Sequence, residues 1–198
     1  VVRVSQIGST KIVGVLALQG AFNSHERALG EIDVTTQEIR TPQDLASIDA
    51  LVMPGGESTT MSQLLESSEL FEPIKKLIQE GMPVFGTCAG MILLATKIID
   101  GRDDQVSFGA IDIDVQRNAY GRQIDSFETE IEVESFDEPF HAVFIRAPRI
   151  VRAGRDVEVL ATNGPEIVFA KQKNVLVASF HPELSFDNRI HKMFVKEI

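Results

Sequence analysis

The sequence predicts an α/β fold: a doubly wound, mostly parallel sheet of the flavodoxin-like kind, flanked by helices and extended by antiparallel edge strands. Three observations predict it. Residues 11–18 form an almost unbroken apolar run, the pattern of a strand buried on both faces of a parallel sheet. Strand-like and helix-like segments alternate through the first half of the chain, and from about residue 108 a two-residue alternation replaces the helical spacing. The 198 residues, 43% of them hydrophobic, suffice for one domain with a substantial core. A single domain is expected over 11–198, with residues 1–10 set aside as an N-terminal extension.

The central strand at 11–18 leads into the turn Gln19-Gly20-Ala21-Phe22-Asn23 and then a helix over 24–30, closed by Gly30. A weaker strand follows at 34–39. Thr41-Pro42-Gln43-Asp44 has the look of a short helical start, and 50–53 is a third strand. That strand runs into Pro54-Gly55-Gly56-Glu57-Ser58-Thr59-Thr60, where paired glycines allow backbone N–H groups to approach a ligand closely. Met61, Leu64 and Leu65 mark the next helix, and Phe71, Ile74, Leu77 and Ile78 another, closed by Gly81.

Val84 and Phe85 begin a strand that stops at Gly86, and Gly90 opens a helix whose apolar residues Met91, Leu94, Ala95 and Ile98 have helical spacing. Short strands are then expected at 111–115, 128–133, 141–146, 157–161 and 167–171. They read as antiparallel additions at the sheet edge. The main sheet returns at 175–180, and 188–198 is a closing helix.

Composition removes several function classes. The net charge of −10 repels phosphate backbones and argues against a nucleic-acid partner. No apolar run approaches the roughly 20 residues that span a bilayer, and no signal peptide pattern opens the chain. A cytoplasmic protein without membrane contact is expected. With one cysteine there is no internal disulfide and no Cys/His cluster for zinc, so no metal and no cofactor are expected.

That cysteine, Cys88, sits in Gly86-Thr87-Cys88-Ala89-Gly90, the spacing of a nucleophile elbow. A lone cysteine is more often an inert buried side chain. Here the small flanking residues allow a strained turn that exposes the sulfur, and the following helix aims its N-terminal N–H groups at the same spot. A thiolate nucleophile needs a base, and the base needs an orienting carboxylate. Of the four histidines, His25 and His191 fall in amphipathic helices and His141 begins an edge strand, so each is expected to be at the surface or partly packed. His181 instead follows a buried strand, two residues before Glu183. In extended backbone that spacing puts both side chains on one side. Cys88, His181 and Glu183 thus suggest acyl transfer through a thioester, with Ala89 N–H and a Gly55 or Gly56 N–H as oxyanion donors.

The elbow with its downstream His-Pro-Glu resembles the class I, triad-type glutamine amidotransferases. Leu16-Ala17-Leu18-Gln19-Gly20-Ala21-Phe22, Pro54-Gly55-Gly56-Glu57-Ser58-Thr59, Arg117-Asn118-Ala119-Tyr120-Gly121-Arg122-Gln123 and His181-Pro182-Glu183-Leu184 together resemble one branch, the PdxT family of glutaminase subunits of pyridoxal 5′-phosphate synthase. The resemblance covers residues 11–198. It implies a class I amidotransferase-like fold and hydrolysis of L-glutamine to glutamate and ammonia, which passes to a (β/α)₈-barrel synthase subunit. It implies Cys88 as nucleophile, His181 as base and Glu183 as third member. It also implies glutamine binding by Gly55, Gly56, Glu57, Arg117, Ile145 and Arg146, and a part for Gln19 in coupling to the partner. Three other readings stay open: the glutaminase of another amidotransferase, a peptidase- or deglycase-like cysteine hydrolase of related fold, and a silent regulatory subunit with Cys88 as redox sensor.

Overall fold

The computed structural model describes residues 11–117 and 126–198; the expected N-terminal extension at 1–10 and the motif residues 118–123 lie outside the described residues. The first half alternates as the sequence predicts. It runs β1 (Ile12–Leu16), α1 (Phe22–Gly30), β2 (Thr35–Ile39), a 3₁₀ turn (Pro42–Ser47), β3 (Ala50–Met53), α2 (Ser58–Ser67), α3 (Phe71–Gln79) and β4 (Val84–Thr87). After a short helix α4 (Ala89–Leu94) come β5 (Ala95–Ile98), β6 (Ile111–Gln116), β7 (Ser126–Ile131), β8 (Phe140–Ile145), β9 (Arg149–Ala153), β10 (Glu158–Asn163), β11 (Glu166–Gln172) and β12 (Val175–Ala178). A second 3₁₀ turn (Pro182–Leu184) and α5 (Arg189–Val195) follow.

The main sheet has the order β2-β1-β3-β4-β12-β11-β9-β6-β5, with β10 paired to β11. Its first five strands are parallel, from β2 through to β12 beside β4. Apart from the edge strand β2, both faces of this half are buried, and the residues alternate between two cores. Leu51, Met53, Val84, Val175 and Val177 point into one, while Ala50, Val52, Phe85, Leu176 and Ala178 point into the other. Near-continuous apolar runs are what such strands require.

The second half departs from the sequence reading in three ways besides the strand β9, which the sequence reading does not expect. The helix after Cys88 ends at Leu94, because the Leu93 and Leu94 carbonyls accept from Phe108 and Ala110 N–H at 2.7 and 2.8 Å. Residues 95–98 become β5 instead, with β-branched Thr96 and Ile98 suited to a strand. Second, β5 pairs with β6 in parallel, so the far edge is not wholly antiparallel. Third, β7 and β8 form a separate two-stranded antiparallel sheet rather than extending the edge. Its inner residues Phe140, Ala142 and Phe144 pack with Phe169 and Phe180 in the second core. Strand β9, which has no clear alternation of its own, bridges β11 and β6. No helix among the described residues is long and apolar enough to cross a membrane.

Candidate active site

Parallel pairing of β4 with β12 sets Thr87 opposite Ala178, so the chain segments leaving both strands emerge side by side. Cys88 follows β4 directly, and its N–H donates to the Ala178 carbonyl at 2.8 Å. Its backbone sits at φ 49°, ψ −104°, a strained conformation for a side-chain-bearing residue and the one a nucleophile elbow needs. Both glycines of the elbow are required by space. A methyl group on Gly86 would meet Gly90 at 2.7 Å, and one on Gly90 would collide with the Met53 backbone.

His181 leaves β12 through Ser179 and Phe180. Its N–H donates to the Val143 carbonyl at 2.8 Å, which ties the β7–β8 sheet to the site and brings the Ile145 carbonyl to 4.0 Å from Cys88 Sγ. His181 Nδ1 lies 2.8 Å from Glu183 Oε1, and Glu183 is only 2% exposed. The sequence reading reached this pair through extended backbone. The structure makes it with a 3₁₀ turn, Pro182–Leu184, that folds the carboxylate back beneath the ring.

The electrostatics follow from burial opposed by pairing. Burial works to lower the His181 pKa, but hydrogen bonds to Cys88 and Glu183 outweigh it and raise it to about 10. Burial likewise works to raise the Glu183 pKa, but the His25 and His181 imidazoles beside it hold it down to about 2. With Glu183 ionised, Nδ1 of His181 carries the hydrogen of their bond, which leaves Nε2 for the sulfur.

Cys88 and His181 open onto a cavity of about 540 Å³. Every site residue read from the sequence lines it except Ala89 and Glu183, which lie just behind the wall. Gly55 is pressed against His181 and Cys88: a methyl group there would come within 2.5 Å of His181 Cε1 and 3.3 Å of Cys88 Cβ. Gly56 lies further along, against Gln19 and Met61. The loop is pinned from β1, with Glu57 N–H donating to Gln19 Oε1 at 2.9 Å and Ala21 N–H donating to the Gly55 carbonyl at 3.1 Å. Glu57's own carboxylate caps α2, accepting from Thr59 and Thr60 N–H at 3.1 and 2.7 Å. Beside the start of α2, Arg117 Nη1 donates to Thr59 Oγ1 at 2.7 Å and to Gln105 Oε1 at 2.9 Å, and Nε faces Asp100 at 3.9 Å. Arg146 has a left-handed backbone, φ 43°, directly after β8.

The chain matches the SNO glutamine amidotransferase family over residues 15–198. The chain belongs to that family. Its SNO-family relatives include a protein from Thermosipho africanus named pyridoxal 5′-phosphate synthase subunit PdxT, 51% identical over 94% of this chain and 98% of the relative. A protein of the same name from Pelotomaculum thermopropionicum is 53% identical over 93% of this chain and 94% of its own length. A solved crystal structure described as a glutamine amidotransferase superposes with a TM-score of 0.89, at 45% identity, over 93% of this chain and 97% of that one. This SNO-family chain is therefore a glutaminase-type enzyme, and the peptidase-like and silent-subunit readings are not favoured.

Two histidines of the chain contradict their sequence reading. His25 and His191, expected at the surface or partly packed, are both 0% exposed. His25 shares the buried helix face with Ala28 and Leu29, and His191 shares one with Ile190 and Phe194. Those spacings of three and four residues are the signal that places them inward. His25 Nε2 lies 3.3 Å from Glu183 Oε2.

Proposed function

We propose that the chain hydrolyses L-glutamine to L-glutamate and ammonia through a thioester on Cys88, as the glutaminase subunit of a pyridoxal 5′-phosphate synthase. The observation that carries the chemistry is Cys88 and His181 meeting in one cavity wall, with Glu183 at 2.8 Å behind the imidazole. The Cys88 thiolate adds to the glutamine amide carbon while His181 holds a proton. The tetrahedral oxyanion is stabilised by N–H groups of Ala89 and Gly55; Gly55 is preferred to Gly56 because it abuts the reactive pair. Collapse breaks the C–N bond, His181 protonates the leaving nitrogen, and ammonia departs. Water then gives His181 a proton and attacks the thioester, breaking the C–S bond and releasing glutamate.

Glutamine is held along the rim by the Gly55-Gly56-Glu57 segment, Arg117, Ile145 and Arg146. Arginine suits the substrate carboxylate, and backbone acceptors suit its ammonium. Glu57 acts there through its backbone, since its carboxylate is engaged in the helix cap. Ammonia released into neutral water becomes ammonium and loses its nucleophilic lone pair, so it must pass directly to an acceptor. That acceptor is the synthase subunit, for which the family resemblance implies a (β/α)₈ barrel. Gln19 is the coupling residue, because it holds the loop that carries Gly55. A cytoplasmic setting fits, since reducing surroundings keep the thiol free.

Glutamate release is to be measured with and without the synthase subunit. Hydrolysis that rises on addition of the synthase is expected. Equal rates would remove the coupling role, and no hydrolysis in either case would overturn the function itself.

A further inference from the structure

Behind Glu183 lies a buried polar cluster that the hydrolysis above does not use. His25 from α1, His191 from α5 and Thr87 at the end of β4 are each 0% exposed. His25 Nε2 is 3.3 Å from Glu183 Oε2 and 3.1 Å from Thr87 Oγ1, and its Nδ1 is 3.0 Å from His191 Nε2. Glu183 Oε1 is taken by His181. Glu183 Oε2 makes no hydrogen bond among the described residues, so His25 approaches it as a close polar contact on the core side, while His181 bonds Oε1 on the cavity side.

Only one placement of hydrogens turns a donor toward the carboxylate. A hydrogen on His25 Nε2 is donated to Thr87 Oγ1 and turns the ring's positive edge to the side of Glu183 Oε2, and Nδ1 then accepts from His191 Nε2–H. The reverse tautomer would aim a lone pair at a carboxylate. It would also leave an N–H on His191 Nδ1, which has no hydrogen-bond partner among the described residues, and an unmade buried N–H bond is costly. No group of three or more His, Cys, Asp or Glu side chains among the described residues is arranged to hold a metal ion.

We infer that His25 is a positioning residue for the reaction proposed above: its Nε2, bonded to Thr87, stands 3.3 Å behind the second oxygen of Glu183, backs that carboxylate where it faces His181, and is itself oriented by His191. The inference rests on the glutaminase reading. Burial lowers the His25 pKa, with Glu183 opposing and His181 adding to the effect, so the ring serves as a neutral donor. The other charged group at this point is Arg27, whose Nη2 donates to the Glu183 backbone carbonyl at 3.3 Å. His25 does not line the cavity, so its effect reaches glutamine only through Glu183 and His181.

The test compares His25→Gln, whose amide nitrogen can occupy the Nε2 position, with His25→Asn, whose shorter amide reaches only the Nδ1 position. Each is assayed with the synthase subunit for glutamine kcat and KM, and for the pH dependence of Cys88 alkylation by iodoacetamide. His25→Gln should keep kcat within about threefold of wild type, whereas His25→Asn should lose about tenfold or more at unchanged KM. The alkylation curve should move to higher pH in His25→Asn only. Equal behaviour of the two variants would overturn the inference. Absence of glutamine turnover in the wild type would instead sink the glutaminase reading and leave the alkylation curves to judge His25. If neither variant folds, ring ¹⁵N shifts of the unaltered chain decide: a hydrogen on His25 Nε2 supports the assignment, and one on Nδ1 overturns it.

Discussion

The two sides of Glu183 are built on opposite terms. Toward the cavity stand loops in strained or left-handed conformations, with Cys88 at φ 49°, Arg146 at φ 43° and Gly20 at φ 96°. They are held by a few hydrogen bonds, donated from Glu57 to Gln19, Ala21 to Gly55 and His181 to Val143. Away from the cavity, His25 and His191 are wedged among Phe85 and Phe194, with ring-centroid distances of 6.2 Å from Phe85 to His25, 6.1 Å to His191 and 5.6 Å to Phe194. The front is therefore positioned by backbone geometry and the back by packing. Front substitutions should change rate at little cost in stability, and back substitutions should change both.

The largest effect expected at the front is that of Cys88→Ala. Loss of the sulfur removes the thioester, so glutamine hydrolysis should fall by about 10³-fold or more, with stability unchanged to within about 1 kcal/mol. Exogenous ammonium should still feed the assembled synthase. Residual glutamate release near wild type would end the nucleophile assignment. Gly55→Ala comes next. The added methyl sits 2.5 Å from His181 Cε1, so either the imidazole or the loop must move. A kcat lowered by about 10²-fold with a normal unfolding midpoint is expected; a normal kcat would mean the loop yields freely and Gly55 is no part of the oxyanion site.

The same division explains what could be read in advance. The front is legible because it is local: Gly86 to Gly90, Gly55-Gly56 and His181-Pro182-Glu183 are short motifs whose residue types are dictated by close approach and by chemistry. The four inner parallel strands are legible for a related reason, since strands buried on both faces are apolar almost throughout, whereas the edge strand β2 is polar and reads weakly. The reach of Glu183 was inferred from the right spacing but the wrong backbone, because a 3₁₀ turn and an extended strand can both bring residues i and i+2 together around a proline. The back is not local. His25 and His191 are separated by 166 residues and meet only because α1 and α5 pack on the same sheet face. Their inward orientation was available in the three- and four-residue spacing to Ala28, Leu29 and Phe194, but their partner was not. The failed extension of the helix past Leu94 has the same origin, a distant loop at Phe108 and Ala110 that claims its carbonyls.

Changing pH should separate front from back without any mutation. His191 is pushed down to about 3, first by burial and then by the neighbouring His25. Between about 3 and its unfolded value near 6.5, the unfolded chain binds a proton that the folded chain excludes, so stability is lost as pH falls through that window. Glu183, held at about 2, adds to the same acid limb, because its stabilising charge is present above its ordinary carboxylate range and lost as pH falls. His181 has the opposite sign. Raised to about 10, it stabilises fully below 6.5 and loses that contribution as pH rises toward 10. Urea midpoints measured from pH 4 to 9.5 should therefore fall on both sides of neutrality. His191→Gln should flatten the acid limb alone and His181→Gln the alkaline limb alone. Parallel curves for wild type and His191→Gln below pH 6.5 would show that His191 does not exclude a proton.

The smallest effect tests whether the division follows position or chemistry. Glu57 sits on the front loop and lines the cavity, yet its carboxylate accepts from Thr59 N–H, Thr60 N–H and the Thr60 hydroxyl, the last at 2.7 Å. Burial is the largest single influence and works to raise its pKa, but these bonds together outweigh it and hold it below the usual carboxylate range, as a helix-capping anion should be held. Glu57→Ala should then behave like a back residue in miniature. A loss of about 1 kcal/mol in stability is expected from the missing cap, with KM for glutamine little changed because the Glu57 backbone N–H still bonds Gln19. A KM raised tenfold at unchanged stability would reverse the assignment: the carboxylate would then be reaching the substrate ammonium, and the cap would be incidental.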